Sequence, residues 1–238
     1  MTSIPLLRGH EHPCGYLPER TAQSVFVDPA APMTGELYSA LAHSGFRRSG
    51  DLVYRPACRG CRACVPVRLA VQDFRPDRSQ RRCAARNIDL TAIPSVPAFS
   101  EEHYRVFTRY QYDRHGDGSM ARMSRREYLE FLGSNWSSTH FVEFRDAPRR
   151  LLGVAVVDRL RDGLSAVYTF FNPSAAARSL GTFAVLWQIG ETRRLGLPYL
   201  YLGYWIAASR KMAYKQRFQP LEALRDGVWC RLGAEQGG

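Results

Sequence analysis

The sequence predicts an α+β fold in two parts: a small cysteine-containing N-terminal α+β domain over residues 1–97 and a mixed-sheet domain over residues 98–238. Three observations predict it. Three β-rich runs, a long helical run and another β-rich run succeed one another between residues 139 and 204; strands, a crossover helix and a further strand build a sheet covered by helices. Five of the six cysteines lie before residue 84. Between the parts, Ile93-Pro-Ser-Val-Pro-Ala-Phe-Ser100 carries two prolines in four positions and reads as a linker.

At 238 residues, with 45% apolar and 23% charged residues, the chain has an ordinary globular composition, which excludes disorder, collagen and coiled coil. The longest apolar runs, such as Leu151 to Val157, fall far short of the ~20 residues of a membrane span. The start, MTSIPLLRGHEHPCG, has no apolar core of a secretion signal. The expected location is the cytoplasm, away from membranes.

In the first part, Ser24–Val27 reads as a strand ended by Asp28-Pro29. Thr34 caps a helix to about His43, stopped at Gly45. Phe46, Arg48 and Val53-Tyr54 flank a Ser49-Gly50-Asp51 turn and read as a hairpin. Val65–Leu69 is a strand, and Asp77–Arg86 a short basic helix. In the second part, Ser100 caps a helix to about His115, with Glu101 and Glu102 at its positive end. Ser124-x-x-Glu127 is a capping box for a helix through Leu132. Strands follow at Thr139–Phe144, Leu151–Leu160 and Ser165–Phe171, then a helix from Leu180 to Leu195, then a strand at Tyr199–Tyr204. This order resembles the N-acetyltransferase (GNAT) superfamily of acyltransferases.

The charge balance points to a partner. Lys plus Arg is 33 against 22 acidic residues, a net charge of +11. Such an excess suits a polyanion, through phosphate neutralisation and counterion release. Only two of the 33 are lysines, Lys211 and Lys215.

Cys58-Arg-Gly-Cys61-Arg-Ala-Cys64 is the densest motif. Cys-x-x-Cys brings two thiolates to one ion. A third cysteine at the same spacing resembles an iron–sulfur run, but Arg68 stands where the fourth would be. Cys14, His10, His12 or His43 would have to complete a site; reduced thiols in a tight loop are the plain alternative. Arg78, Arg81 and Arg82 share one side of a helix and form either a solvated face or a phosphate clamp. His115 stands at a helix C-terminus, where the dipole alone favours it. Asn172-Pro173 and Arg178-Ser-Leu-Gly181-Thr182 lead from a strand into a helix, whose free amides make an anion site or an ordinary cap. Gly203-Tyr204-Trp205 ends a strand with aromatic faces on which bases stack. Lys211 and Lys215, four apart with Tyr214 beside them, follow on a helix. No P-loop, HExxH or Gly-x-Ser-x-Gly is present, which argues against nucleotide hydrolysis and zinc-protease chemistry.

Six stretches occur in one order: Cys14-Gly-Tyr-Leu-Pro-x-Arg20; Tyr54-Arg-Pro-x-Cys58-x-x-Cys61-x-x-Cys64; Arg78-Ser-Gln-Arg-Arg82; Arg114-His-Gly-Asp-Gly118; Ser179-Leu-Gly-Thr182; and Leu202-Gly-Tyr-Trp-Ile206 with Lys211-Met-x-Tyr-Lys215. Together they resemble the bacterial leucyltransferases for N-terminal aspartate and glutamate, which belong with the arginyl-tRNA–protein transferases. The resemblance covers about residues 10 to 229. It implies an N-degron enzyme that moves leucine from leucyl-tRNA to the α-amine of proteins beginning with Asp or Glu. It also implies a GNAT-like catalytic domain. Asn172, Tyr204 and Tyr214 are then the candidate catalytic residues. Arg210, Lys211, Lys215, Arg114 and His115 are candidates for the acidic acceptor. Arg78, Arg81, Arg82, Arg178, Ser179, Gly181, Thr182 and Trp205 are candidates for tRNA. Transfer requires no cofactor; Cys14, Cys58, Cys61 and Cys64 are the set that the resemblance offers to zinc or an iron–sulfur cluster. Two departures stand out: Leu17 replaces a second N-terminal cysteine, and Asn172 stands where the family usually has Asp. An arginyl-tRNA donor, a CoA-dependent N-acetyltransferase and a non-catalytic RNA-binding or redox module are the alternatives. Oligomeric state is not legible.

Overall fold

A computed structural model describes residues 4–116 and 118–233, with the side chains of His115 and Ser119 outside the description. The N-terminal half contains β1 (Leu6–Arg8), β2 (His12–Pro13), β3 (Thr21–Ala22), β4 (Ser24–Val27), α1 (Gly35–His43), β5 (Arg47–Ser49), β6 (Leu52–Pro56), β7 (Val65–Ala70), α2 (Arg78–Arg86) and β8 (Thr91–Ser95). Then come α3 (Glu101–His115), α4 (Arg125–Leu132), β9 (Ser138–Arg145), β10 (Leu151–Arg159), β11 (Gly163–Phe171), α5 (Leu180–Arg194), β12 (Tyr199–Trp205), α6 (Arg210–Ala213), β13 (Leu221–Arg225) and β14 (Val228–Arg231).

The architecture is α+β around a large mixed sheet of eight strands in the order β14-β13-β7-β12-β11-β10-β9-β8. Its β11–β12 pair is parallel, joined by the crossover helix α5, and its other pairs are antiparallel. A four-stranded sheet, β1-β4-β6-β5, and the β2-β3 pair stand apart from it. Residues 97 and 98 lie just past β8, so both β7 and β8 are built into the same sheet as β9–β12.

Strand β10 explains the layering. Every residue from Leu151 to Asp158 is buried, as expected of a strand covered on both faces. Val154 and Val156 point into a core with Phe107 of α3 and Tyr128 and Leu132 of α4. Ala155 and Val157 point the other way, toward Ala184, Val185 and Ile189 of α5. A third cluster joins Tyr38 and Leu41 of α1 to Val53 of β6 and Tyr201 of β12, seating the smaller sheet on the larger one.

Local signals set the helix starts. Thr34 accepts from Leu37 N at the head of α1. Asp77 and Gln80 close a capping box on α2, and Ser124 and Glu127 close one on α4, satisfying amides that have no partner inside the helix. Among the described residues no helix is long and apolar enough to cross a membrane.

The linker expectation needs correction at its first half. Ile93, Pro94 and Ser95 belong to β8 and pair with Glu143, Val142 and Phe141 of β9. β8 is an edge strand with one neighbour, and an edge tolerates a residue that lacks an N–H. Arg68, in place of a fourth cysteine, has a buried role. Its guanidinium lies 3.5 Å from the centre of the Tyr199 ring and 4.4 Å from that of Trp229, and Nε donates to Glu222 at 2.7 Å.

Candidate active site

The parallel pairing of β11 and β12 runs only from Gly163↔Tyr199 to Ser165↔Tyr201. Beyond it both strands continue, to Phe171 and Trp205, without pairing to each other. The side chain of Arg47, from β5, occupies this divergence. Its guanidinium donates to Ser165 Oγ at 3.1 Å and to the carbonyl of Ala166 at 2.6 Å, serving a backbone acceptor that lost its strand partner. Gly203 makes room for it: its φ is +75°, and a Cβ there would lie 3.0 Å from Arg47 Cζ.

Lys215 reaches the same place from the turn after α6. It is 7% exposed, and Nζ donates to the carbonyl of Tyr204 at 2.5 Å and lies 3.5 Å from Met212 Sδ. Burial pushes its amine down to about 7; the charge of Arg47 pushes the same way and Cys64 opposes it. Tyrosines surround these groups. Tyr214 lies with its ring centre 6.0 Å from Lys215 Nζ, and Tyr54 and Tyr16 lie in the electrostatic reach of Arg47 and Cys64. Tyr110 packs edge-on against Phe171 at 4.9 Å, and Arg114 lies 5.5 Å from the centre of the Phe171 ring. Tyr168 accepts from Gln111 Nε2 at 2.7 Å, and burial pushes its phenol up to about 12. The region therefore offers guanidinium, amine and phenol groups, chemistry that suits a carboxylate-bearing substrate.

The sequence candidates divide. Lys215, Tyr214 and Arg114 are in this region, and Arg210 and Lys211 are exposed on the adjacent α6. The side chain of His115 lies outside the described residues. Tyr204 contributes its carbonyl, while its phenol is 8% exposed and donates to Gly45 O at 2.9 Å. The phenol's hydrogen is committed to the Gly45 carbonyl and burial holds it there, so this side chain serves the packing of β12 as placed. Trp205 is half-buried against the α5-side core, with its indole nitrogen buried without a partner. Asn172 follows β11 and accepts from Ser174 N at 3.1 Å, capping a turn over Pro173–Arg178. Asn and Asp cap equally well, so Asn172 meets the local need that the family's Asp would. It opens on a groove of about 520 Å³ lined also by Thr108, Arg109, Tyr112 and Asp113.

Arg78, Arg81 and Arg82 lie on the exposed face of α2, whose other face buries Gln80 and Cys83. Arg178 is held by Asp89 through two bonds of 2.8 and 2.9 Å. Ser179 adopts a left-handed conformation at the head of α5, and its side chain caps nothing. Gly181 and Thr182 are half-buried beside it. Cys83 Sγ and Asn87 Nδ2 donate to the Ser179 and Arg178 carbonyls, so this helix start is tied to α2.

Cys14, Cys58, Cys61 and Cys64 are half-buried free thiols. Burial pushes Cys64 up to about 11, and Cys58, Cys14 and Cys61 add to it, so the four share one neighbourhood. Among the described residues, however, no three His, Cys, Asp or Glu side chains are placed to hold a metal ion. The thiols as arranged do not fit zinc or a cluster, and no chemical step is assigned through one.

Arg47, Tyr16, Tyr54, Tyr110 and Tyr168 are absent from the sequence candidates. For Arg47 a signal existed: Arg47-Arg48 places adjacent arginines on opposite faces of a strand, and both must then find partners.

Comparison with known proteins identifies the family. The model of "Arginine-tRNA-protein transferase, C terminus" matches residues 102–225, and that of "Arginine-tRNA-protein transferase, N terminus" matches residues 12–82. The chain belongs to the arginine-tRNA-protein transferase family, and it is an aminoacyltransferase. It is similar to the aspartate/glutamate leucyltransferase of Nitrosococcus oceani, 52% identical over 92% of each chain. It is 50% identical to that of Alcanivorax borkumensis over 96% of this chain and 94% of the relative. The Marinobacter nauticus protein of the same name is 52% identical over 94% of each.

Proposed function

We propose that this enzyme moves leucine from leucyl-tRNA to the α-amino group of proteins that begin with Asp or Glu. The observation that carries the reading is identity near one half, over more than nine-tenths of the chain, to proteins named for that activity. The chemistry of the site supports it. An aminoacyl ester is already activated, so positioning and charge stabilisation do most of the work. Arg114, Arg210 and Lys211 supply cations for the acceptor's carboxylate. Lys215 is better suited to another task, because its buried amine sits near the neutral form at cellular pH.

The exposed arginines of α2 give the tRNA backbone a basic face. The catalytic layer is GNAT-like: antiparallel β9–β10–β11, the crossover α5, and a parallel β12 that parts from β11. Residues 1–97 are the cysteine-containing N-terminal domain and residues 98–238 the GNAT-like aminoacyltransferase domain; the large sheet takes strands from both, and Arg47 of the first reaches the site of the second.

The test is transfer of labelled leucine from charged tRNA to peptides starting with Asp, Glu or Ala, with an arginyl-tRNA arm in parallel. Leucine on the Asp and Glu peptides alone is expected. Arginine in its place would keep the mechanism and change the donor. Silence in both arms from folded protein would overturn the reading.

A further inference from the structure

We propose that the Lys215 side chain takes a proton from the acceptor's α-ammonium group, freeing the amine that attacks the aminoacyl ester. This rests on the aminoacyl-transfer reading above. The first support is the amine's surroundings. An ammonium has three N–H donors, and here the acceptors at hand are the Tyr204 carbonyl and the weak Sδ of Met212. A neutral amine is better matched: one N–H serves Tyr204 O, and the lone pair is left for a proton. The second is charge. The groups facing Lys215 are Arg47 from β5, Cys64 ahead of β7, the Tyr204 carbonyl of β12, and Tyr214 on its own turn. The only fixed charge among them is positive, and it disfavours a second cation. The third is residue choice. Arginine cannot be deprotonated in a protein, and a chain that uses arginine for all but two of its 33 cations keeps one of the two lysines at this buried point. The nitrogen lies 6.0 Å from the ring centre of Tyr214, itself 44% exposed, and the step requires that ring to give way to the acceptor.

The step balances. The acceptor's ammonium gives one proton to Lys215 Nζ and becomes an amine. Its nitrogen attacks the ester carbon, and the C–N bond forms. The C–O bond to the ribose then breaks, and the remaining proton lost by nitrogen goes to the ribose oxygen as it leaves. Lys215 returns its proton to water before the next turnover. The lowered affinity of Lys215 for protons is in line with this cycle at cellular pH.

The experiment has two arms. In the first, wild-type protein carrying ¹³C-lysine is titrated by NMR; with two lysines in the chain, two Cε signals are expected. One should inflect near 7 and vanish from the titration in Lys215→Met. In the second, kcat/KM is measured near neutral pH on an Asp-initiated peptide and on its α-aminooxy analogue, whose nucleophile is already neutral. At pH 7 Lys215→Met should lose about tenfold on the amine, since an α-amine of pKa about 7.7–8.0 is only about a tenth neutral there, and stay near wild type on the aminooxy acceptor, and Lys215→Arg should not rescue the amine reaction. Equal loss on both acceptors, wild-type transfer by Lys215→Met, or both signals inflecting near the ordinary lysine value would overturn the proposal. If Lys215→Met does not fold, the wild-type titration decides. No transfer from tRNA by the wild type would overturn the aminoacyl-transfer reading as well; normal wild-type transfer with an indifferent variant would overturn only the proton role.

Discussion

Arg48 and Asp158 meet in a fork, with Nε and Nη2 donating to the two carboxylate oxygens at 2.6 and 2.7 Å and both side chains fully buried. The same guanidinium donates to the carbonyls of Leu132 and Gly133 at the end of α4. Thr139 Oγ1 donates to Asp158 Oδ1 at 2.7 Å. One ion pair thus ties the β5–β6 hairpin, the end of α4 and the centre of the large sheet together. Arg48→Met should cost about 3–5 kcal/mol in urea unfolding, because it leaves a buried carboxylate uncompensated. Arg48→Met with Asp158→Leu should recover much of that loss. A single-variant cost below 1 kcal/mol would remove the pair from the fold's essential contacts.

Gly203 and Arg47 are coupled by space. Alanine at 203 would hold a left-handed φ of +75° and press its Cβ to 3.0 Å from the guanidinium. Gly203→Ala should therefore destabilise by more than the ~1 kcal/mol that a compatible site would gain. It should also lower kcat/KM at least tenfold, since displacement of a positioning group by about 1 Å is enough for such a loss. Parallel measurement of melting temperature and transfer kinetics checks both.

Much of the fold was legible because its signals are local. The Thr34, Asp77, Ser100 and Ser124 caps each need only the next few residues, and the helices begin where those residues place them. β8 was obscured because Pro94 is tolerated only where a strand has a free edge, and edge position is a property of the whole sheet. The site was obscured for a related reason. The register of β12 against β7 shifts between Tyr201 and Gly203. Leu200 and Leu202 face one core and Tyr201 the other, but beyond the shift Trp205 joins the Leu202 side. Tyr204 turns inward to Gly45. Gly203-Tyr204-Trp205 therefore does not present its two rings by simple alternation. Arg47 meets Ser165 across more than a hundred residues, which no local pattern encodes.

Lys215 should also write itself into the pH dependence of stability. Its folded value is about 7 against an ordinary 10.5. Below pH 7 both states hold the proton, and the burial cost is full. Between the two values the unfolded chain binds more protons, so stability rises with pH across that window, and above 10.5 the cost is gone. Lys215→Met should lack this rise. Urea unfolding of both proteins from pH 6 to 10 checks it; parallel curves would contradict the assignment.

The exposed face of α2 makes a separable prediction about tRNA. Arg81→Glu with Arg82→Glu should weaken tRNA binding at least tenfold and flatten its salt dependence, since each lost phosphate contact removes released counterions. Unfolding should be unchanged, because the buried face of α2 is untouched. Arg178→Ala should do the opposite, loosening the α2–α5 junction through Asp89 with a smaller change in salt slope. Filter binding across a salt series separates the two.

Tyr204 offers the sharpest contrast between a structural and a chemical side chain. Its phenol donates to Gly45 O at 2.9 Å and is buried, and burial holds its proton far above any cellular pH. The atom it offers to Lys215 is its backbone carbonyl, which survives any substitution. Tyr204→Phe should therefore lower stability by about 1 kcal/mol, the worth of one buried hydrogen bond, and leave kcat/KM near wild type across the pH range. A phenol that moved a proton in the reaction would instead contribute about 10²–10⁴-fold, and its loss would flatten a limb of the pH profile. Equal melting temperatures with a large drop in transfer would return Tyr204 to the chemistry; a lower melting temperature with intact transfer assigns its phenol to the fold.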